Sequence, residues 1–152
     1  MSRFEPADAD FAARIRDSFD RQGAMSHFGA RMTRIEPGEV EIELVYRPEL
    51  TQQHGFFHGG ITGAIADTAG GYAAFTLIPA DATMLTVEYK INLIAPADGE
   101  KLIAIGRVVK PGRTLTICEM EVAAVKDGAV TVCARGMQTL IRLDGRPDRP
   151  GG

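Results

Sequence analysis

Between residues 39 and 46 the chain alternates strictly: Glu39, Glu41 and Glu43 interleave with Val40, Ile42, Leu44 and Tyr46. A period of two puts successive side chains on opposite faces, so this stretch predicts a β-strand with one wet face. The period returns in TMLTVEYKINLI, residues 83–94. Leu85, Val87, Tyr89, Ile91 and Leu93 are expected on one side there, with Thr86, Glu88, Lys90 and Asn92 on the other. Three turn signals, Asp98-Gly99, Pro111-Gly112 and Asp127-Gly128, then separate KLIAIGRVV, RTLTICEMEVAAVK and AVTVCARGMQTLIR. The pattern predicts four long strands in meander order, preceded by a strand near 30–35, a Pro37-Gly38 turn and the 39–46 strand.

The period changes in two places. Residues 8–22 set Phe11, Ile15 and Phe19 four apart among charges, which predicts a short amphipathic helix. Residues 52–74, QQHGFFHGGITGAIADTAGGYAA, read as a loop followed by a helix that begins at Gly59-Gly60. This helix has so little polar surface that it must be covered on nearly all sides. An antiparallel sheet curled around it would do so, giving a single α+β domain over residues 1–152. The tail from residue 144, with no apolar content, is expected to fray.

One residue does not fit this apolar helix. Asp67 lies on a stripe with Gly63 and Gly71, at spacings of four, beside a second stripe of Ile61, Ile65, Thr68 and Tyr72. A buried carboxylate is costly unless it has partners or a task. Flanking glycines imply that a backbone or a ligand comes close to it. The helix start has the complementary property: its first N–H groups lack intrahelical acceptors and form a ready oxyanion site. His58 and Asp67 are nine residues apart, about 13 Å along one helix, too far to act on one carbonyl within a subunit. Two copies of the helix, antiparallel across a two-fold axis, would bring the Gly59-Gly60 end of one near Asp67 of the other.

The pattern Gln52, Gly55, His58-Gly59-Gly60 and Asp67, followed by LTVEYKINLIAPADGE and GRTLT, resembles the PaaI-type branch of the hotdog-fold acyl-CoA thioesterases over residues 30–142. The resemblance implies a hotdog fold, a sheet wrapped around one long helix, in a homodimer or a dimer of dimers. It implies hydrolysis of an acyl-CoA without metal or other cofactor, coenzyme A being part of the substrate. Asp67 matches the family's catalytic carboxylate, nucleophile or general base, and Gly59 the residue whose N–H polarises the thioester carbonyl. Thr86 matches a Ser/Thr position that orients the carboxylate or its water. Gln52 stands six residues before His58, where many relatives have Asn; it keeps the amide and adds a methylene. His58 is expected to fix the loop before the helix or to serve as a proton carrier. Gly60, Lys90, Arg113 and Thr114 are expected on the coenzyme A side.

Composition narrows the alternatives. A net charge of −3 and a pI near 5.6, without a basic face, argue against binding nucleic acid. The acidic start, MSRFEPADADF, lacks the apolar core of a secretory signal, and no apolar run is long enough to span a membrane, so a cytoplasmic location is expected. His54 and His58 have the spacing of a helical zinc pair, but Gly55 and Gly59-Gly60 spoil a helix there and no Glu follows His54. Ser2, Ser18 and Ser26 lie outside any Gly-x-Ser-x-Gly elbow. If Asp127-Gly128 is a two-residue turn, Cys118 faces Met137 and Cys133 faces Val122, a register that disfavours a disulfide. A hotdog hydratase or dehydratase and a non-catalytic acyl-CoA-binding protein are the competing readings.

Overall fold

The structure, a computed structural model, describes residues 3–150. In chain order the elements are α1 (Phe11–Asp20), α2 (Gly23–Phe28), β1 (Arg31–Glu36), β2 (Glu39–Val45), a 3-10 turn at Pro48–Leu50, α3 (Gly59–Phe75), β3 (Ala82–Leu93), β4 (Lys101–Lys110), β5 (Leu115–Lys126) and β6 (Ala129–Asp144). One antiparallel sheet in the order β1-β2-β4-β5-β6-β3 wraps α3. This is the expected hotdog architecture. Among the described residues no helix is long and apolar enough to cross a membrane.

The expected helix at 8–22 is two helices. α1 stops at Asp20, and α2 follows and ends on Gly29, whose φ of 74° supplies a left-handed C-cap. Only β4, β5 and β6 form a meander; β3 pairs with β6 and closes the far edge of the sheet. The chain makes that crossing through α3, whose length carries it to the other side. Asp127 and Gly128 both adopt positive φ, 50° and 78°, as the tight hairpin between β5 and β6 requires.

Two β-bulges alter the faces inferred from alternation. Next to the Asp127-Gly128 turn the register follows a two-residue hairpin, with Lys126 opposite Ala129 and Ala123 opposite Val132. A bulge between Val122 and Ala123 then shifts it by one, so that Cys118 faces Gln138 rather than Met137 and Val122 faces Ala134 rather than Cys133. Both thiols remain free and buried, and burial pushes the Cys118 thiol up to about 12. The second bulge, between Thr86 and Glu88 in β3, reverses the side on which later residues point. Thr86 and the odd-numbered Tyr89 and Leu93 all reach α3, whereas alternation assigned Thr86 to the opposite face.

The helix sits directly on the strands. Ile65, Ala66, Ala69 and Ala73 of α3 are fully buried beside Ile42, Leu44, Leu102, Ala104 and Val122. The closest approach is at Gly106 of β4, where a Cβ would overlap the Ala69–Gly70 peptide of α3. Only glycine lets backbone meet backbone there. The tail, expected to fray, is held mainly at Asp148, which accepts hydrogen bonds from Ser18, Arg21 and Thr83, and the Gly145 N–H donates to the Asp81 carbonyl. Residues 151–152 of the tail lie outside the described residues.

Candidate active site

Asp67 is the ninth residue of α3 and is half-buried. Its Oδ1 accepts two hydrogen bonds at 2.8 Å, one from Thr86 Oγ1 on β3 and one from Gln138 Nε2 on β6. Gln138 Nε2 also lies 3.3 Å from the Asp67 carbonyl oxygen and 3.3 Å from Thr86 Oγ1. Two strands thus fix one carboxylate oxygen. Among the described residues Oδ2 has no partner, and Asp67 lines a cavity of about 270 Å³ with Phe75, Met84, Leu85 and Leu140.

Sequence reasoning missed Gln138. The side chain is 2% exposed, beneath the helix, and its Oε1 is a buried acceptor without a partner. An unpaired buried carbonyl costs about 1–3 kcal/mol, so the amide is held for what its other end does, which is to donate to Asp67. The clearance around Asp67 also differs from the expectation at Gly63 and Gly71. An added Cβ would make ordinary contacts at those positions, 3.7 Å from Tyr89 Oη and 3.8 Å from Leu140 Cδ2. At Gly70 it would stand 2.7 Å from Gln138 Cδ and overlap Oε1. Gly70 makes room for Gln138. An isolated glutamine in MQTLIR was a signal, but alternation could not say which way it pointed.

The start of α3 forms a second centre. His58 is its N-cap, with extended backbone (φ −63°, ψ 137°), and His58 Nδ1 accepts the Gly60 N–H at 2.9 Å. His58 therefore fixes the loop, and the Gly60 donor is already engaged. The Gly59 N–H has no acceptor among the described residues, and Gly59 lines a groove of about 390 Å³ with Gln52, Phe57, Leu93, Ile94 and Ala95. Gln52 Oε1 accepts the His54 N–H of its own loop. Its amide nitrogen is not bonded within the described residues, and Gln52 lines the same groove as Gly59.

Within one chain the expected residues thus fall into separate groups. Asp67 and Thr86 come together, Gly59 and Gln52 come together, and the two pairs are separated by eight residues of helix, about 12 Å. Lys90 stands on the outer face of the sheet with Asn92, Arg107, Glu119 and Arg135. Arg113 and Thr114 are exposed in the loop between β4 and β5, where Arg142 N donates to the Thr114 carbonyl at 2.8 Å.

The helix start, Asp67 and Thr86 all fall within one stretch of the chain that matches known proteins. A sequence profile of the Thioesterase superfamily matches residues 54–131, which hold the helix start, Asp67 and Thr86. This chain belongs to that superfamily. A thioesterase family protein from Silicibacter pomeroyi is 46% identical; its crystal structure superposes with a TM-score of 0.88, covering 89% of this chain and 99% of that one. The E. coli PaaI protein of the phenylacetic acid degradation operon shares the fold, with a TM-score of 0.78 at 17% identity over 90% of this chain and 95% of its own. The 1,4-dihydroxy-2-naphthoyl-CoA hydrolase of Listeria monocytogenes is 21% identical over 66% of this chain and 81% of that protein.

Proposed function

We propose that this thioesterase-superfamily protein hydrolyses an acyl-CoA to the free acid and coenzyme A, at two equivalent sites shared between the subunits of a homodimer. The observation that carries this reading is the state of Asp67: one oxygen is held by Thr86 and Gln138, and the other is unpartnered at a cavity. The fixed one aims the free one, and attack on a thioester carbon, directly or through water, needs that kind of preorganisation.

The electrophilic half of the reaction comes from the start of α3 in the partner. Gly59 N–H, with the Gln52 amide beside it, stabilises the oxyanion as the carbonyl carbon becomes tetrahedral. In the water route Asp67 takes a proton from the attacking water, the C–S bond breaks, the thiolate leaves with a proton and the water oxygen stays in the acid; in the direct route loss of the thiol leaves an acyl–Asp67 anhydride, which a water then cleaves to the acid and free Asp67. A second copy is also supported by the exposed edge of the sheet. β3 carries no strand on its outer side, and Leu85, Val87, Tyr89 and Leu93 are 56%, 54%, 47% and 57% exposed along it. A long apolar edge of that kind invites pairing with another strand. A dimer of dimers would use the outer face that bears Lys90. The Listeria protein named as a CoA-thioester hydrolase supports coenzyme A as the leaving thiol.

The test is thiol release, followed by a colorimetric reagent, over a panel of acetyl-, butyryl-, benzoyl-, phenylacetyl- and lauroyl-CoA in the presence of a chelator. At least one member should release coenzyme A with a kcat/KM of about 10⁴ M⁻¹s⁻¹ or more. Hydration of an unsaturated acyl-CoA without thiol release would place the protein among the hydratases, and binding without turnover would make it a sensor.

A further inference from the structure

The cavity beside Asp67 has a floor, and the two ends of the chain build it. Ser18 and Gln22 contribute from the end of α1 and the turn that follows, Tyr72 from α3, Thr83 from β3 and Asp148 from the tail. These groups are joined in one hydrogen-bonded chain. Gln22 Nε2 donates to Tyr72 Oη at 3.1 Å, and Tyr72 Oη and Ser18 Oγ are 3.0 Å apart. Ser18 Oγ donates to Asp148 Oδ2, and Thr83 Oγ1 donates to Asp148 Oδ1 at 3.1 Å. Arg21 completes the attachment from outside, with Nη2 3.1 Å from Asp148 Oδ2 and Nη1 donating to the Asp148 carbonyl at 2.7 Å.

We infer that residues 145–150 are a strap, pinned by Asp148, that closes the far end of the acyl pocket and restricts the substrate to short or single-ring acyl groups. This rests on the thioesterase reading, since it takes the cavity at Asp67 as the acyl site. Tyr72 lies five residues beyond Asp67 on α3, about 7.5 Å along the helix. That depth suits one benzene ring or a short alkyl chain. Gly71, where an added Cβ would meet only Leu140, also lines the cavity. A longer chain would have to part Ser18 from Asp148 and bury its end among polar groups whose hydrogen bonds it cannot replace, which is unfavourable. The rest of the tail has little apolar surface; besides the Gly145 N–H bond to the Asp81 carbonyl and the exposed Arg149–Asp17 pair, Asp148 supplies its attachments. Losing that one carboxylate releases Ser18 and Thr83 together and leaves Arg21 only its bond to the Asp148 carbonyl.

The experiment compares the intact chain with Asp148→Ala and with a chain ended after Asp144. The readouts are the ratio of kcat/KM for lauroyl-CoA to that for butyryl-CoA, and calorimetric Kd values for the non-hydrolysable S-dodecyl- and S-butyl-CoA thioethers. In both variants the long-to-short ratio should rise by about tenfold or more, the discrimination that a pocket gains or loses with a few methylenes, and the thioether affinities should shift the same way. An unchanged ratio with active enzyme overturns the strap and leaves the hydrolysis reading standing. A shift in thioether affinity without thiol release from any acyl-CoA supports the strap and overturns hydrolysis. Failure to bind either thioether overturns both. A wild-type enzyme that already prefers lauroyl-CoA also overturns the strap.

Discussion

Asp67→Asn should lower kcat for the best acyl-CoA by about 10³-fold or more and leave the oligomer and the melting temperature close to those of the wild type. The substitution is isosteric. The amide oxygen it introduces can still accept from Thr86 Oγ1 and Gln138 Nε2, the two bonds that hold the wild-type carboxylate at 2.8 Å, so the helix keeps its contacts with β3 and β6. What changes is the second oxygen: an amide nitrogen in its place can neither take a proton from water nor attack a carbonyl carbon. Steady-state thiol release and sedimentation velocity on the same preparations check this. Activity within a few-fold of wild type would sink the assignment of Asp67, and a loss of activity with unfolding would leave it a structural residue.

The second large effect is expected far from any polar group. Gly106→Ala should cost about 1–3 kcal/mol or more, which for a chain of this size lowers Tm by roughly 2–4 °C per kcal/mol. The methyl group would overlap the Ala69–Gly70 peptide, and neither backbone can give way as a flexible side chain would. α3 must lift off β4, carrying Asp67 away from Thr86 and Gln138, so turnover should fall with stability. Gly71→Ala is the control, since its Cβ would meet Leu140 Cδ2 at an ordinary 3.8 Å, and its Tm should stay within about a degree or two of wild type. Scanning calorimetry of the pair decides. Equal melting temperatures would show that the helix does not rest on Gly106 as described.

Local pattern made much of the fold legible in the sequence. Alternation in 39–46 located β2, turn pairs located the hairpins, and the apolar composition of 59–75 required a covered helix. Asp67 stood out because a carboxylate in such a helix needs a reason. Features that depend on long-range pairing were not legible. The bulge at Val122 and Ala123 moves Gln138 opposite Cys118, and the bulge between Thr86 and Glu88 turns Thr86 toward α3. No property of a single strand announces a bulge that its neighbour imposes. For the same reason the glycines flanking Asp67 suggested clearance at Gly63 and Gly71, whereas the tight position is Gly70, one residue away, facing a glutamine that belongs to another strand. The exchange of β3 to the far edge and the pinning of the tail by Asp148 are likewise properties of the assembled chain.

In the proposed enzyme, Asp67 and the start of α3 act in one site only when they come from different subunits. Two inactive variants test this when they are mixed. Asp67→Asn removes the carboxylate, and Gly59→Pro removes the N–H at the first helical position, where proline is tolerated and where the extended His58 can precede it. Co-expressed in equal amounts and purified through two different tags, the mixed dimer holds one site with both Asp67 and Gly59 intact and one with neither. Thiol release by that dimer should recover to about half of the wild-type rate, with each parent variant near background. A mixed dimer as inactive as its parents would contradict the shared site.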